Sequence, residues 1–219
     1  MNPITDIGGQ LIPGLGITIS ILLASALFSY LMAFIAGLCR LSKNVFLRKF
    51  TGLYVEVFRG TSLIVQLFWF VYAIPILFGV NLGSNWSIGV IAIGLNYGAY
   101  LSEVVRSSIL AVAPGQSEAA TALNMTSFQK MRLVIFPQAV RMMLPEFANY
   151  TIQMLKGTAL VSLISLNDVL YYGNILRSSN LSYAPLIYIV VLIIYFLLAL
   201  PLILFSRKAE KIAKKGVAN

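Results

Sequence analysis

The chain has no histidine, one cysteine (Cys39) and seven acidic residues among 219. Without imidazole there is no Ser/His or Cys/His nucleophile pair and no histidine metal site. One cysteine excludes intrachain disulfides and thiolate clusters, so no metal set is expected. Charge of either sign is scarce: 11% of residues are charged, where a soluble domain carries about a quarter. No G-x-x-x-x-G-K run occurs, so the chain has no phosphate loop of its own. These absences exclude an ordinary soluble enzyme. What fills the chain is apolar, at 59% of residues, and the 16 lysines and arginines give a net charge of +9.

A helix needs about 20 mostly apolar residues to cross the hydrocarbon core. Runs of that kind fall at 11–38, 53–78, 87–113, 139–155 and 184–205. The second opens on Glu56, Arg59 and Thr61. The fourth carries Arg141, Pro145, Glu146, Asn149 and Gln153, so it suits a membrane only where those groups face other helices or water. Five spans predict an all-α membrane protein with one transmembrane domain over 1–219. The stretch 1–11 has none of the basic residues that open a signal peptide, so the first span is expected to be retained. Fourteen of the 16 cations gather at one set of span ends, and only Lys156 and Arg177 fall at the other. By the positive-inside rule the N-terminus lies outside and the C-terminus in the cytoplasm. The charge is therefore topological: membrane lipid is an expected partner, and nucleic acid is not.

Between the third and fourth spans lies 114–137, longer than a turn and shorter than a domain. Pro114 and Gly115 end the preceding helix, and Ser117 is a candidate N-cap with Glu118 in the first turn. Asn124 stands where a short helix needs a left-handed residue to stop. Thr126 and Gln129 then form a capping box that opens a second helix running to Pro137. The two short helices (117–136) would offer Ala119, Ala120, Leu123, Phe128 and Met131 to a partner or, as an amphipathic pair, to lipid headgroups.

Glu118-Ala119-Ala120, then Asn124, Val134 and Pro137 resemble the E-A-A loop of ATP-binding-cassette importer permeases, E-A-A-x3-G-x9-I-x-L-P. Asn124 replaces the glycine and Phe136 the leucine. The polar amino-acid branch is the best match. Tyr54-Val55-Glu56-Val57-Phe58-Arg59-Gly60-Thr61 resembles its Y-V-E-x-F-R-G-T-P-L, with Ser62 for the proline. Gly98-Ala99-Tyr100, Glu103 and Arg106 are similar to G-A-Y-x-x-E-x-x-R, and 155–162 to I-K-D-T-S-L-V-S. The resemblance implies the type I importer fold and a non-enzymatic subunit in the bacterial plasma (inner) membrane. It also implies partner ATPases that bind ATP and magnesium, a second permease, an extracytoplasmic binding protein, and a small polar amino-acid-like cargo. The coupling residues it implies are Glu118, Ala119, Ala120, Asn124, Phe128 and Pro137.

Polar residues inside spans ask for a reason, since a charge at mid-span costs about 3 kcal/mol. Glu103 with Arg106, and Glu56 with Arg59, stand three apart and read as internal ion pairs. Glu146, Asn149 and Gln153 form a stripe with Tyr150 beside it, which faces a dimer interface or a substrate path. Gln66, Asn96, Tyr100, Glu146, Asn149, Tyr150, Gln153, Gly157 and Thr158 are the candidate path residues, and Glu146 could bind an ammonium group. The aspartate of K-D-T-S is Gly157 here, and the following serine is Ala159. That argues against a cargo recognised by a cationic side chain, or places the pocket in a partner permease. The stretch 159–171 resembles the family's outer helix that caps the cavity. An ion-coupled secondary carrier, or another polytopic membrane protein, is the alternative that Glu146 keeps open.

Overall fold

A computed structural model describes residues 3–80 and 82–215. Among the described residues every regular element is helical. In chain order they are α1 (Pro3–Leu11), α2 (Pro13–Arg40), α3 (Val45–Gly60), α4 (Leu63–Phe78), α5 (Asn85–Leu110), α6 (Pro114–Ala122), α7 (Ser127–Ile164), α8 (Val169–Ser179) and α9 (Ala184–Lys215). Three helices are long and apolar enough to cross a membrane, namely α2, α5 and the helix that contains α9. Two further candidates are bent pairs, α3 with α4 and α7 with α8.

α5 is the centre of the bundle, lined by α2, α3 and α7, with α9 packed on α7. The closeness of α2 and α5 comes from small residues. A Cβ at Gly37 would stand 2.8 Å from the Ser102 carbonyl oxygen, and one at Gly98 would stand 2.9 Å from Met32 Cβ. Ser25, Ser29, Ala33 and Ala36 are buried on the same side of α2. Lipid offers no hydrophobic drive for helix association, so backbone approach and van der Waals contact must supply it.

The second expected span is not one helix. It breaks at Thr61 and Ser62, both extended, and α4 leaves α3 at 107°. A break frees the last carbonyls of α3, which hydrocarbon cannot solvate. Three of them find donors. Thr61 Oγ1 donates to Val57 O at 2.7 Å, Gln66 and Asn96 side-chain amides both donate to Phe58 O at 3.0 Å, and the Tyr100 hydroxyl donates to Arg59 O at 3.1 Å.

The knob and the fourth span are likewise not separate. A single helix, α7, runs from Ser127 through Pro137 to Ile164. A proline ring collides with the carbonyl four residues back. Pro75 and Pro137 each stand one residue beyond a π-helical turn, Trp69–Ala73 and Met131–Ile135, which widens the ladder where that collision would fall. Gln138 Nε2 donates to the Val134 carbonyl at 2.9 Å, which satisfies one acceptor in the loosened turn.

The expected outer helix over 159–171 is interrupted. A 3-10 turn (Ala159–Ile164) closes α7, Ser165 adopts φ 60°, and α8 starts only at Val169. Asp168 caps it, accepting from the Tyr171 amide at 2.8 Å, while the Tyr195 hydroxyl of α9 donates to its other oxygen at 3.0 Å. The side chain is fully buried. The last helix also outruns its expected end at 205, reaching Lys215.

Candidate functional site

Two places on this frame gather the residues that the sequence singles out. The first is the knob. α6 begins at Pro114, with Ala113 before it making no side-chain cap, so Ser117 lies inside the helix and is not its N-cap. Proline suits that start because its missing N–H would be unpaired there in any case. α6 stops as its sequence requires. Asn124 takes φ 56°, its amide donates to Thr121 O at 2.9 Å, and the Met125 amide reaches back to Ala120 O at 3.1 Å. These paired bonds are a Schellman stop. Thr126 and Gln129 then cap α7 reciprocally, with Gln129 Oε1 accepting from the Thr126 amide at 2.9 Å.

Glu118, Ala119, Leu123 and Phe128 are exposed at the knob surface, Leu123 and Phe128 at 72% and 70%. Ala120 is not available to a partner. It is buried at 2% exposure, because the α6 face that carries it packs back on the π turn of α7. Pro137 is exposed, but it stands within the start of the long α-helical run rather than at an end. Asn124→Gly should leave the knob as stable or slightly more so, while Asn124→Val should cost about 1–2 kcal/mol for a branched side chain at positive φ. Thermal unfolding in detergent reads both.

The second place is a polar face shared by α3, α5 and α7. The Arg59 guanidinium lies over the Tyr100 ring, 5.4 Å from its centroid. Tyr100 stacks on Tyr150, centroids 5.9 Å apart at 29°. Glu146 stands one helical turn before Tyr150. Gln153 extends the face by two turns from Glu146, and Arg59, Glu146 and Gln153 are exposed. Beside it the Tyr97 hydroxyl donates to the Gln153 carbonyl at 3.0 Å. A Cβ on Gly157 would lie 2.9 Å from that hydroxyl, so the glycine makes room for the tyrosine.

Other candidates have different neighbours. Gln66 and Asn96 are buried at the α3–α4 break, where Asn96 Nδ2 donates to Gln66 Oε1 at 3.1 Å. The Asn149 side chain points to α9 and accepts from the Ser206 hydroxyl at 2.9 Å. Thr158 is fully buried, its hydroxyl donating to Leu155 O at 2.7 Å. The stripe on α7 therefore divides, with Asn149 used between helices and the rest open. The expected Glu56–Arg59 ion pair is absent among the described residues, because Arg59 turns onto Tyr100 at the broken end of α3. Glu103 is bound to Arg106, whose Nε donates to it at 3.0 Å, and also to Arg40 of α2. Sequence spacing missed Arg40 because the contact joins residues 63 apart. It also missed Tyr97 as a wall of the polar face; the Y-x-x-Y spacing with Tyr100 was the available signal.

Helices of span length, a two-helix knob and a polar face fit the transmembrane part of a transporter. The chain belongs to the family described as the binding-protein-dependent transport system inner membrane component, which it matches over residues 29–211. It is 44% identical to "Probable amino-acid ABC transporter permease protein y4tF" of Sinorhizobium fredii, covering 94% of this chain and 87% of that one. It is 37% identical to "L-cystine transport system permease protein TcyB" of Bacillus subtilis, again covering 94% and 87%. Among solved structures it resembles "Crystal structure of an amino acid ABC transporter with histidines", with TM-score 0.84, 33% identity and 94% of each chain covered. The fold also matches a chain of the MetNI methionine ABC transporter in its inward-facing form, with TM-score 0.75, 17% identity and 99% of each chain covered. The chain is an importer permease, a transport subunit whose ATP hydrolysis belongs to a separate ATPase and whose system includes a substrate-binding protein. That sets aside the ion-coupled secondary carrier.

Proposed function

We propose that this permease carries a polar amino acid or a similar small zwitterion across a bacterial plasma (inner) membrane, working with a second permease chain of the same or homologous sequence. It forms one transmembrane domain of five spans, counting each bent pair as one, with the N-terminus outside and the C-terminus in the cytoplasm. The 14 cations at one set of span ends support that orientation. The amino-acid permeases among its relatives support the cargo class.

The observation that carries the reading is the polar face. Arg59 and Glu146 are both exposed and unpaired in ion pairs among the described residues, separated by the stacked rings of Tyr100 and Tyr150. A zwitterion compensates both: its carboxylate faces Arg59 in a charge-assisted contact, and its ammonium faces the Tyr150 ring toward Glu146. Gly157 and Tyr97 put a phenol where a carboxylate would favour a cationic side chain, so the cargo side chain is uncharged.

Coupling follows from the continuity of α7. The ATPase, which binds ATP and magnesium, grips Glu118, Ala119, Leu123 and Phe128. The helix that starts in that knob also carries Glu146, Tyr150 and Gln153, and spans roughly 55 Å at about 1.5 Å per residue. A movement at one end is delivered to the other, with the π turn before Pro137 as the compliant joint. The test is uptake of labelled neutral amino acids into vesicles that hold this chain, its ATPase and its binding protein. Uptake should require ATP and the binding protein. Uptake driven by a proton or sodium gradient without ATP overturns the reading.

A further inference from the structure

We infer that Asn96 and Gln66 are positioning residues for cargo recognition: their buried amides clamp the broken end of α3 so that the Arg59 guanidinium stands where a cargo carboxylate arrives. This role rests on Arg59 meeting that carboxylate, as proposed above, and adds two side chains that do not touch cargo. Arg59 is the next-to-last residue of α3, and its side chain is exposed. A Cβ placed on Gly60, which follows it, would have nothing within 4 Å. Packing therefore does not hold this helix end, and hydrogen bonds do. Phe58 O belongs to the peptide unit before the Arg59 Cα and accepts from both Gln66 Nε2 and Asn96 Nδ2, each at 3.0 Å. Arg59 O belongs to the unit after it and accepts from the Tyr100 hydroxyl at 3.1 Å. With the peptide planes on both sides of one Cα held, its two backbone dihedrals are set, and with them the direction in which the side chain leaves.

One donor satisfies a buried carbonyl, so two on Phe58 O go beyond what burial requires. The donors are themselves ordered. Asn96 Nδ2 also donates to Gln66 Oε1 at 3.1 Å, and Gln66 Nε2 also donates to Thr61 Oγ1 at 2.7 Å. Gln66 comes from α4 and Asn96 from α5, and both are buried behind the exposed polar face, out of reach of a cargo lying on it. Tyr100 joins the clamp to the site, because its hydroxyl holds the Arg59 backbone while its ring lies against the guanidinium. A guanidinium recognises a carboxylate through a rigid planar fork. An arginine that leaves the chain at the wrong angle keeps its charge and loses the paired hydrogen bonds, so the two amides act on affinity through Arg59 alone.

The experiment is equilibrium binding of labelled amino acids to the purified permease and ATPase complex in detergent, without the binding protein, whose own preference would mask that of the permease. The probes are L-glutamine, L-serine and L-methionine, and the primary amide of whichever binds most tightly, which lacks the carboxylate. Asn96→Leu and Gln66→Met, both close to isosteric, should each weaken binding of the amino acid by about 3- to 10-fold. Binding of its amide should stay within about twofold. In an Arg59→Gln background neither variant should weaken binding further. Gln66→Met keeps the Asn96 bond to Phe58 O, so it carries the test if Asn96→Leu does not fold. Tyr188→Phe removes a hydrogen bond between α9 and Asn174 of α8, and should lower the thermal midpoint without moving cargo affinity. Equal losses for the amino acid and its amide, or a loss that adds in full to that of Arg59→Gln, overturns the positioning role. So does Arg59→Gln weakening binding while both amide variants leave it unchanged, and in that case the cargo site stands. Arg59→Gln without effect, or no binding of any of the three amino acids, removes the cargo site and the positioning role with it.

Discussion

Phe128→Ala should weaken binding of the ATPase subunit by roughly 30- to 1,000-fold and abolish ATP-driven uptake, while the chain stays folded in the membrane. The side chain is 70% exposed on the first turn of α7, so the chain gives up little internal packing when it is cut back. Buried in a partner groove it becomes an aromatic anchor, and such anchors are worth about 2–4 kcal/mol on truncation, at about 1.4 kcal/mol per decade. Glu118→Lys should add to the loss through charge reversal beside the same contact, whereas Ala120→Ser, at a buried position, should not touch docking. Co-purification with the ATPase and the thermal midpoint of the free chain separate the two effects. Undiminished co-purification of the Phe128 variant would take the knob out of the coupling role.

At the other end of α7, Arg59→Gln or Glu146→Gln should each raise the half-saturating cargo concentration for transport by about 10- to 100-fold. A hydrogen bond to a charged group contributes about 1.5–3 kcal/mol, which is that range. Stability should change little, because both side chains are exposed and Arg59 gives up only its contact with Tyr100, worth about 0.5–1 kcal/mol. The two variants differ in what they read. Loss of Arg59 should penalise cargo analogues that keep their carboxylate, and loss of Glu146 those that keep their ammonium. A double variant Arg59→Glu with Glu146→Arg that regains dimer formation but not transport would mean that the two charges pair across copies of the permease. Kinetics unchanged in both single variants would move the cargo site elsewhere.

The knob was largely legible in sequence because its signals are local. A positive-φ stop at Asn124 and a capping box at Thr126 and Gln129 are decided by residues within a turn or two of each other. Ala120 shows the limit. Spacing places it in the motif, but whether a helix face looks outward depends on what packs beneath, here the π turn of α7. The polar face divides in the same way. Helical periodicity put Asn149 on a stripe with Glu146, and only the position of Ser206 on α9 shows that its amide is taken.

Hydropathy is a property of the chain alone, and it pointed to a helical membrane protein: apolar runs of span length with cations gathered at one set of ends. Only the tertiary structure decided where a span breaks and where a helix does not. α3 stops at Gly60 because Gln66, Asn96 and Tyr100 are positioned to receive its freed carbonyls. α7 continues through Pro137 because a π turn relieves the ring clash that would otherwise end it. In hydrocarbon every backbone group needs a partner, and the partners come from residues distant in sequence, so the course of the backbone is settled by contacts that no local pattern contains.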